Sequence, residues 1–184
     1  ICLIIGAGAG IGGNVAKVFA KDGYHVYLTR RSDESGLKKL IDTINASGGK
    51  ASGKLMNAIK DNTIEDLIHE VEKDLGPISV VVYNLGAQIG NKKLEDLTLK
   101  QFDLGLKMGT VGIFRLSKTL FPYMVKRGEG TLIATSSTAS VRGNRGQHSH
   151  AAAMGARRML CQTLNDEFSI KGIHIVLSLI HISE

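Results

Sequence analysis

Short apolar segments alternate with amphipathic segments along almost the whole chain. The apolar runs are bounded by glycine or polar residues, which is typical of buried strands, and the segments between them repeat apolar side chains every three or four residues, which is typical of helices. Strands are predicted at residues 1–5, 24–29, 51–56, 78–83, 130–136 and from 173 onward. Helices are predicted at residues 11–21, 35–47, 62–75, 98–126 and 147–170. The helix at 98–126 is weakened by Gly105, Gly109 and Gly112.

This alternation predicts an α/β fold in a single domain without repeats. Strands that are apolar on both faces need helices on both sides, and strands joined through helices lie parallel. Right-handed crossovers then give a three-layer α/β/α, doubly wound parallel sheet, which is Rossmann-like. Ligands of such sheets bind at the carboxyl ends of the strands, where the winding changes direction. We therefore expect the chemistry in the loops that follow the strands.

Composition and charge narrow the functional classes. Hydrophobic residues make up 43% of the chain and charged residues 22%, as in soluble globular proteins. We find neither an apolar run long enough to cross a bilayer nor a signal-peptide pattern. The net charge of +6 is not concentrated in a basic run with interleaved aromatic residues. We therefore expect a cytoplasmic protein that binds neither nucleic acid nor membranes, with Cys2 and Cys161 as buried, reduced thiols.

Both ends of the sequence are unusual. The chain begins at Ile1, already inside a predicted strand, and its last eight residues, 177–184, match the translation of a transposase sequencing adapter. We therefore expect natural sequence to end near Val176. Residues 1–176 would then be a domain that is incomplete at its C-terminus, and 177–184 a non-native tail. The alternative is that the apolar residues after Val176 continue the sixth strand.

A glycine-rich turn joins the first strand to the first helix. Its residues are Gly6, Gly8, Gly10, Ile11, Gly12 and Gly13, with alanines at the remaining positions. Glycine permits the tight turn and lets a diphosphate approach the backbone, and the helix start supplies N–H groups and the positive end of its dipole. The strand–turn–helix context indicates dinucleotide binding, and the lack of a lysine in the turn argues against phosphoryl transfer. The alternative is a tight turn without a ligand.

The end of the second strand selects between the two pyridine dinucleotides in such a fold. An acidic residue there holds the ribose of NAD, whereas this chain has Arg30, Arg31 and Ser32 and no acidic partner at that position. Two guanidinium groups suit the 2′-phosphate of NADP. We therefore predict NADP(H) rather than NAD(H). The alternative is that one of the arginines is only a surface residue.

These motifs resemble those of the short-chain dehydrogenase/reductase family. The glycine spacing Gly6-x-x-x-Gly10-x-Gly12 is that of the family, and the resemblance extends from Ile1 to about Val176. It implies hydride transfer between C4 of a nicotinamide and a carbonyl or alcohol carbon. It also implies pairing of family members through the two long helices, here 98–126 and 147–170, into a homodimer or homotetramer.

The resemblance also assigns residues beside the cofactor. The segment Tyr83-Asn84-Leu85-Gly86 is similar to the Asn-Asn-Ala-Gly segment of the family, with Asn84 and Gly86 matching. In the family, this segment steadies the sheet and borders the cofactor. Asn57 stands where family members usually have an Asp that contacts the adenine ring, and an amide can make a similar hydrogen bond.

The family carries out its chemistry with a Ser, a Tyr, a Lys and an Asn. Ser137 occupies the serine position, but His150 stands at the Tyr position, Met154 at the Lys position and Gly109 at the Asn position. The resemblance therefore implies one retained catalytic residue and three replacements.

The replacements change the expected proton chemistry. An imidazole, with an ordinary pKa of about 6.5, can donate a proton near neutral pH without a neighbouring cation. His150 is therefore a candidate general acid beside Ser137, and the alternative is a polar helix-start residue without a catalytic role. Met154 has neither charge nor donor and is expected to pack. Arg157, one turn further on, is expected at the surface or in a salt bridge, and the alternative is that it supplies the positive charge that is missing at position 154. His148 and His150 diverge, so we expect no metal site.

Two functions stay open at this point. The first is an NADPH-dependent reductase of a small carbonyl compound that uses Ser137 and His150. The second is an NADP(H)-binding module without turnover, which senses redox state or serves as a scaffold. The substrate cannot be read from these residues.

Overall fold

The computed structural model of the chain describes residues 1–86 and 89–180. Its strands are β1 (Cys2–Ile5), β2 (His25–Arg30), β3 (Lys50–Leu55), β4 (Val80–Tyr83), β5 (Gly130–Ser137) and β6 (Ile173–Ile180). Its α-helices are α1 (Ile11–Lys21), α2 (Glu34–Ala46), α3 (Thr63–Asp74), α4 (Leu99–Leu106), α5 (Gly112–Arg127) and α6 (His148–Phe168). A π turn at Lys107–Val111 joins α4 to α5, and 3₁₀ turns lie at Leu94–Asp96, Thr138–Ser140 and Ser169–Lys171.

The six strands form one parallel sheet in the order β3-β2-β1-β4-β5-β6. The winding changes direction between β1 and β4, whose residues pair from Cys2↔Val80 to Ile5↔Tyr83. Loops after neighbouring strands diverge at this point and leave room for a ligand. The predicted doubly wound α/β architecture is confirmed.

Side chains of the central strands alternate between two apolar layers, as the two-residue period of a strand requires. Cys2 and Ile4 face a layer covered by α1 and α2. Leu3 and Ile5 face a second layer, to which α3, α5 and α6 contribute. Buried aliphatic side chains fill both layers, and this close packing holds the ends of the strands in fixed positions.

The predicted helix at 98–126 is the element that the structure corrects most. The helical course continues, but at Lys107–Val111 it widens into a π turn, which contains Gly109. Glycine lowers helix propensity, and π turns commonly interrupt helices at functional sites. A side chain at Gly112, just after this turn, would collide with the Tyr83 hydroxyl, so the glycine is a packing requirement rather than only a weak point.

The end of the described chain continues the sheet. β6 runs to Ile180 and pairs with β5 as far as Ser137↔Ile180, so residues 177–180 lie in the strand. Residues 181–184 of the predicted tail lie outside the described residues. The origin of 177–184 stays a prediction.

Both cysteines are buried and free, as expected. Burial raises the pKa of Cys2 to about 12 and that of Cys161 to about 11, so both thiols are protonated at neutral pH. None of the helices in the described part of the chain has the length and hydropathy to cross a membrane.

We expect Leu67→Ala in α3 to lower the free energy of unfolding by about 2–5 kcal/mol, because it leaves a cavity under the sheet. Leu67 is fully buried, whereas Leu99 in α4 is 73% exposed. The matched change Leu99→Ala should stay within about 0.5 kcal/mol of the wild type. Urea denaturation measures both, and equal losses would contradict the layer assignment.

Candidate functional site

A cleft of about 390 Å³ opens at the carboxyl ends of β1, β2 and β3, beside the change in winding. It is lined by Ile5, Gly6, Gly8, Ala9, Thr29, Arg30, Arg31, Ser32, Asp33, Met56, Asn57, Ala58, Ile59, Leu85 and Met108. This is the position at which the sequence predicted a ligand, and the glycine turn forms part of its wall.

Two glycines of the turn are required by the protein itself. Gly6 has φ +96°, and a Cβ on it would lie 2.8 Å from the Asn84 carbonyl oxygen. A Cβ on Gly12 would collide with the Gly6 carbonyl oxygen. The Asn84 side chain donates a 3.0 Å hydrogen bond to that same oxygen, so the end of β4 is tied to the glycine turn.

No contact within the described part of the protein requires glycine at position 8 or 10. A Cβ on either would meet no protein atom within 4 Å, and neither residue needs positive φ. Helix α1 begins directly afterwards at Ile11, which is 42% exposed, without a side-chain cap or an acidic residue in its first turn. Open backbone before an uncapped helix start fits a bound diphosphate.

The sequence suggested a free guanidinium group at Arg30, but the structure shows that Arg30 is paired. Its Nε donates to the Ala7 carbonyl oxygen, and its Nη1 lies 2.6 Å from Oδ2 of Asp33. The Arg30 side chain is only 9% exposed. The expectation that the arginines have no acidic partner was therefore wrong for Arg30. Its partner stands three residues further on, where the turn into α2 brings a carboxylate back to β2.

Asp33 is held in place by the start of α2. Its residue has φ 69°, and its Oδ1 accepts hydrogen bonds from the Gly36 N–H and the Ser35 hydroxyl. The hydrogen bond from Gly36 lowers the pKa of Asp33, so the carboxylate beside Arg30 is charged near neutral pH. The Asp33 carboxylate and the Arg30 guanidinium therefore lie side by side in the lining of the cleft.

The other predicted cofactor residues are placed differently. Arg31 and Ser32 are exposed and line the cleft, and Asn57 lines it from the end of β3 while its Oδ1 accepts a 3.4 Å hydrogen bond from the Ile59 N–H. Gly86 is exposed after β4 and is not among the lining residues.

The structure brings Ser137 and His150 together. Ser137 is the last residue of β5, and His150 lies in the first turn of α6. Ser137 Oγ and His150 Nε2 are 3.1 Å apart, within hydrogen-bond distance, and both residues are partly buried. The Ser137 carbonyl oxygen also accepts from the Ser140 hydroxyl at 2.8 Å, which fixes the turn between β5 and α6. A hydroxyl and an imidazole can act together on one substrate oxygen.

The other two positions at which the resemblance implies a replacement, 154 and 109, are packed into the protein. Met154 is 2% exposed in a small apolar cluster with Ala139 and Ala153, as expected. Its sulfur lies 3.8 Å from the Ser136 hydroxyl. Gly109 is buried in the π turn, where it contributes a backbone carbonyl but no side chain. Neither position offers a group for proton transfer.

Arg157 contradicts its expected place at the surface or in a salt bridge. It is 1% exposed and is among the largest fully buried side chains of the described residues. Its Nε donates to the Gly109 carbonyl oxygen at 2.6 Å, Nη2 to that of Leu85 at 2.7 Å, and Nη1 to that of Thr135. The one indication in the sequence that Arg157 is buried was its position one turn after Met154, on the same face of α6.

Tyr83 is a second residue whose role the sequence did not reveal. It is fully buried at the end of β4, and burial raises its pKa to about 12, so it stays protonated. Its hydroxyl donates a 2.7 Å hydrogen bond to the Met108 carbonyl oxygen in the π turn. The Arg157 guanidinium carbon lies 5.3 Å from the centre of its ring.

The described residues contain no group of three or more His, Cys, Asp or Glu side chains that could hold a metal ion.

Comparison with known proteins agrees with this architecture. Residues 1–179 match the family model described as short chain dehydrogenase. The chain is 28% identical over 179 residues to the 3-oxoacyl-[acyl-carrier-protein] reductase FabG of Thermotoga maritima, covering 95% of this chain and 70% of the relative.

Solved structures show the same fold. A short-chain dehydrogenase from Rhodopseudomonas palustris superposes with a TM-score of 0.91 at 28% identity, covering 97% of this chain and 82% of that one. A protein from Beutenbergia cavernae, assigned as an NAD(P)-dependent gluconate 5-dehydrogenase and containing NADP at low occupancy, superposes with a TM-score of 0.90 at 25% identity, covering 98% and 71%. With its sheet order, its glycine turn and a family match over almost its whole length, this chain belongs to the short-chain dehydrogenase family.

Proposed function

We propose that this chain is an NADP(H)-dependent oxidoreductase that reduces a small carbonyl compound, with Ser137 and His150 as its catalytic residues. The observation that carries the proposal is the 3.1 Å contact between Ser137 Oγ and His150 Nε2. It brings the serine that the resemblance retains together with an imidazole, a group that can serve as a general acid.

The cleft supports a pyridine dinucleotide as the cofactor. Gly8 and Gly10 leave open backbone where a diphosphate fits, and Arg31 and Ser32 are exposed at the end of β2, where a 2′-phosphate fits. Asn57 lines the same cleft from the end of β3, which supports a hydrogen bond between its amide and an adenine ring. The Beutenbergia cavernae relative contains NADP, which supports the same cofactor in this chain.

The two catalytic residues have separate tasks in the proposed reaction. When bound, NADPH would supply the hydride that reduces the carbonyl carbon. The Ser137 hydroxyl donates a hydrogen bond to the carbonyl oxygen and orients it. The protonated His150 imidazole gives its Nε2 proton to the same oxygen, which completes the alcohol, and takes a proton back from solvent. An imidazole can itself act as a general acid, so this donor needs no neighbouring lysine.

The relatives support a carbonyl substrate. The Thermotoga maritima relative is named a reductase of 3-oxoacyl groups, which are carbonyl compounds. By family analogy we also propose a homodimer or homotetramer that pairs through the helical stretches at 98–126 and 147–170, which contain α4, α5 and α6.

We expect Gly8→Ala to weaken NADPH binding without destabilising the fold. The new methyl group meets no protein atom within 4 Å, so it would occupy space that the diphosphate needs. We expect a loss on the order of tenfold or more in affinity by calorimetry, since about 1.4 kcal/mol corresponds to tenfold. Gly155→Ala in α6, which also meets no atom, is the control. Equal affinity in both variants would argue against the diphosphate site.

Asp33→Asn should shift the cofactor preference further towards NADPH. The carboxylate faces Arg30, where it would repel a 2′-phosphate, and an asparagine can still accept the Gly36 hydrogen bond. We expect NADPH to bind roughly tenfold more tightly while NADH changes little, because hydrogen bonds to charged groups contribute about 1.5–3 kcal/mol.

Arg31→Ala tests the same preference in the opposite direction. It should weaken NADPH about tenfold and leave NADH unchanged, since only NADPH carries the extra phosphate. Calorimetry with both cofactors measures each variant. Parallel changes for NADPH and NADH would refute the assignment of this wall to the 2′-phosphate.

His150→Ala should lower kcat on a panel of small carbonyl compounds by roughly 10²–10⁴-fold, the usual contribution of a general acid. NADPH affinity should stay close to that of the wild type. His148→Ala, two residues earlier and exposed, serves as the control. Wild-type rates in the His150 variant would remove it from the mechanism. Tight NADPH binding by the wild type without turnover on any carbonyl would overturn the reductase itself.

A further inference from the structure

The Arg157 guanidinium connects three segments that are far apart in the sequence. From α6 it donates to the carbonyl oxygens of Leu85 after β4, Gly109 in the π turn and Thr135 in β5. Each of the three nitrogens has its own acceptor. A planar fork with donors in fixed directions can hold three carbonyls in one arrangement, which a lysine ammonium cannot do in the same way.

This cation is buried at a cost. In the part of the chain that the structure describes, no carboxylate forms an ion pair with it, and burial lowers the pKa of Arg157. A buried charge is tolerated when hydrogen bonds and ring faces replace its water. Three carbonyls and the Tyr83 ring, 5.3 Å away, fulfil this condition. An apolar side chain would fill the same space without that cost.

The π turn explains why donors are needed here. A π turn displaces the regular hydrogen-bond pattern of a helix, and two of its carbonyl oxygens accept from side chains. Met108 accepts from the Tyr83 hydroxyl and Gly109 from Arg157 Nε. Tyr83 can reach its acceptor because Gly112 has no Cβ to block its hydroxyl. Tyr83 and Arg157 together hold the turn against the sheet.

Two of the three bridged segments line the cleft, through Leu85 and Met108, and the third leads to the Ser137–His150 pair, because Thr135 is two residues before Ser137 in β5. We propose that Arg157 is a positioning residue that aligns the Leu85 and Met108 side of the cleft with the Ser137–His150 pair. The proposal rests on the proposed function, because it assigns this side to the nicotinamide and the substrate carbonyl.

The test compares Arg157→Met, which removes the charge and all three donors, with Arg157→Lys, which keeps the charge but not the fork. Arg158→Met, the same change at the next and less buried residue, is the control. Calorimetry gives NADPH affinity, the emission of bound NADPH reports the surroundings of its nicotinamide, and steady-state kinetics separate kcat from KM. Thermal melting shows whether each variant folds.

We expect both Arg157 variants to bind NADPH within roughly threefold of the wild type, which is less than about 0.7 kcal/mol. Neither variant changes the glycine turn or the exposed residues Arg31 and Ser32 after β2. The emission enhancement of bound NADPH should fall by about half or more. The kcat value should fall on the order of 10²-fold with KM for NADPH nearly unchanged, as for a misplacement of about 1 Å at reacting groups. Lysine should not restore kcat, since it cannot hold three carbonyls.

Several outcomes would overturn the positioning role. Affinity, emission and kcat that fall in the same proportion would indicate general damage, and full recovery with lysine would show that charge alone matters. Failure of both variants to fold would place Arg157 in the fold rather than in the site. If the wild type turns over no carbonyl, the proposed function fails. A loss of emission at constant affinity in the Arg157 variants would then still support the positioning role.

Discussion

The site depends on one close approach of backbone to backbone at the change of winding. Gly12 at the start of α1 lies so near the Gly6 carbonyl oxygen that no Cβ fits between them, and the Asn84 side chain binds that same oxygen from the end of β4. This contact brings the helix start, the glycine turn and two central strands into one unit. Every other part of the cleft is arranged around it.

The cleft and the Ser137–His150 pair differ in their chemistry. The cleft is polar at the ends of β2 and β3, with Arg30 held between Ala7 and Asp33 and with Arg31 and Ser32 exposed. The pair is formed by the end of β5 and the first turn of α6, and it consists of one hydroxyl and one imidazole. In the proposed function, cofactor binding and proton transfer are therefore carried by separate elements of the fold.

Much of this could be predicted from local patterns. Hydrophobic periodicity predicted the six strands and their helices. The family resemblance named Ser137 and His150, which lie 3.1 Å apart because a strand end and a helix start joined by a short segment stay close. The pattern failed where the outcome depends on distant residues. Asp33 reaches Arg30 only because α2 turns back on β2, and the π turn needs Tyr83 and Arg157 from other elements. Arginine is usually found at the protein surface, so the burial of Arg157 was not expected from the sequence.

The burial of Arg157 also constrains its neighbour on α6. Met154 lies one turn before it on the same face of the helix, and both are enclosed. In the part of the chain that the structure describes, no carboxylate forms an ion pair with Arg157. A lysine introduced at 154 would therefore bring a second positive charge into a region of low dielectric. The apolar side chain of Met154 is compatible with the buried guanidinium, so a cation at 154 would require a simultaneous exchange at 157.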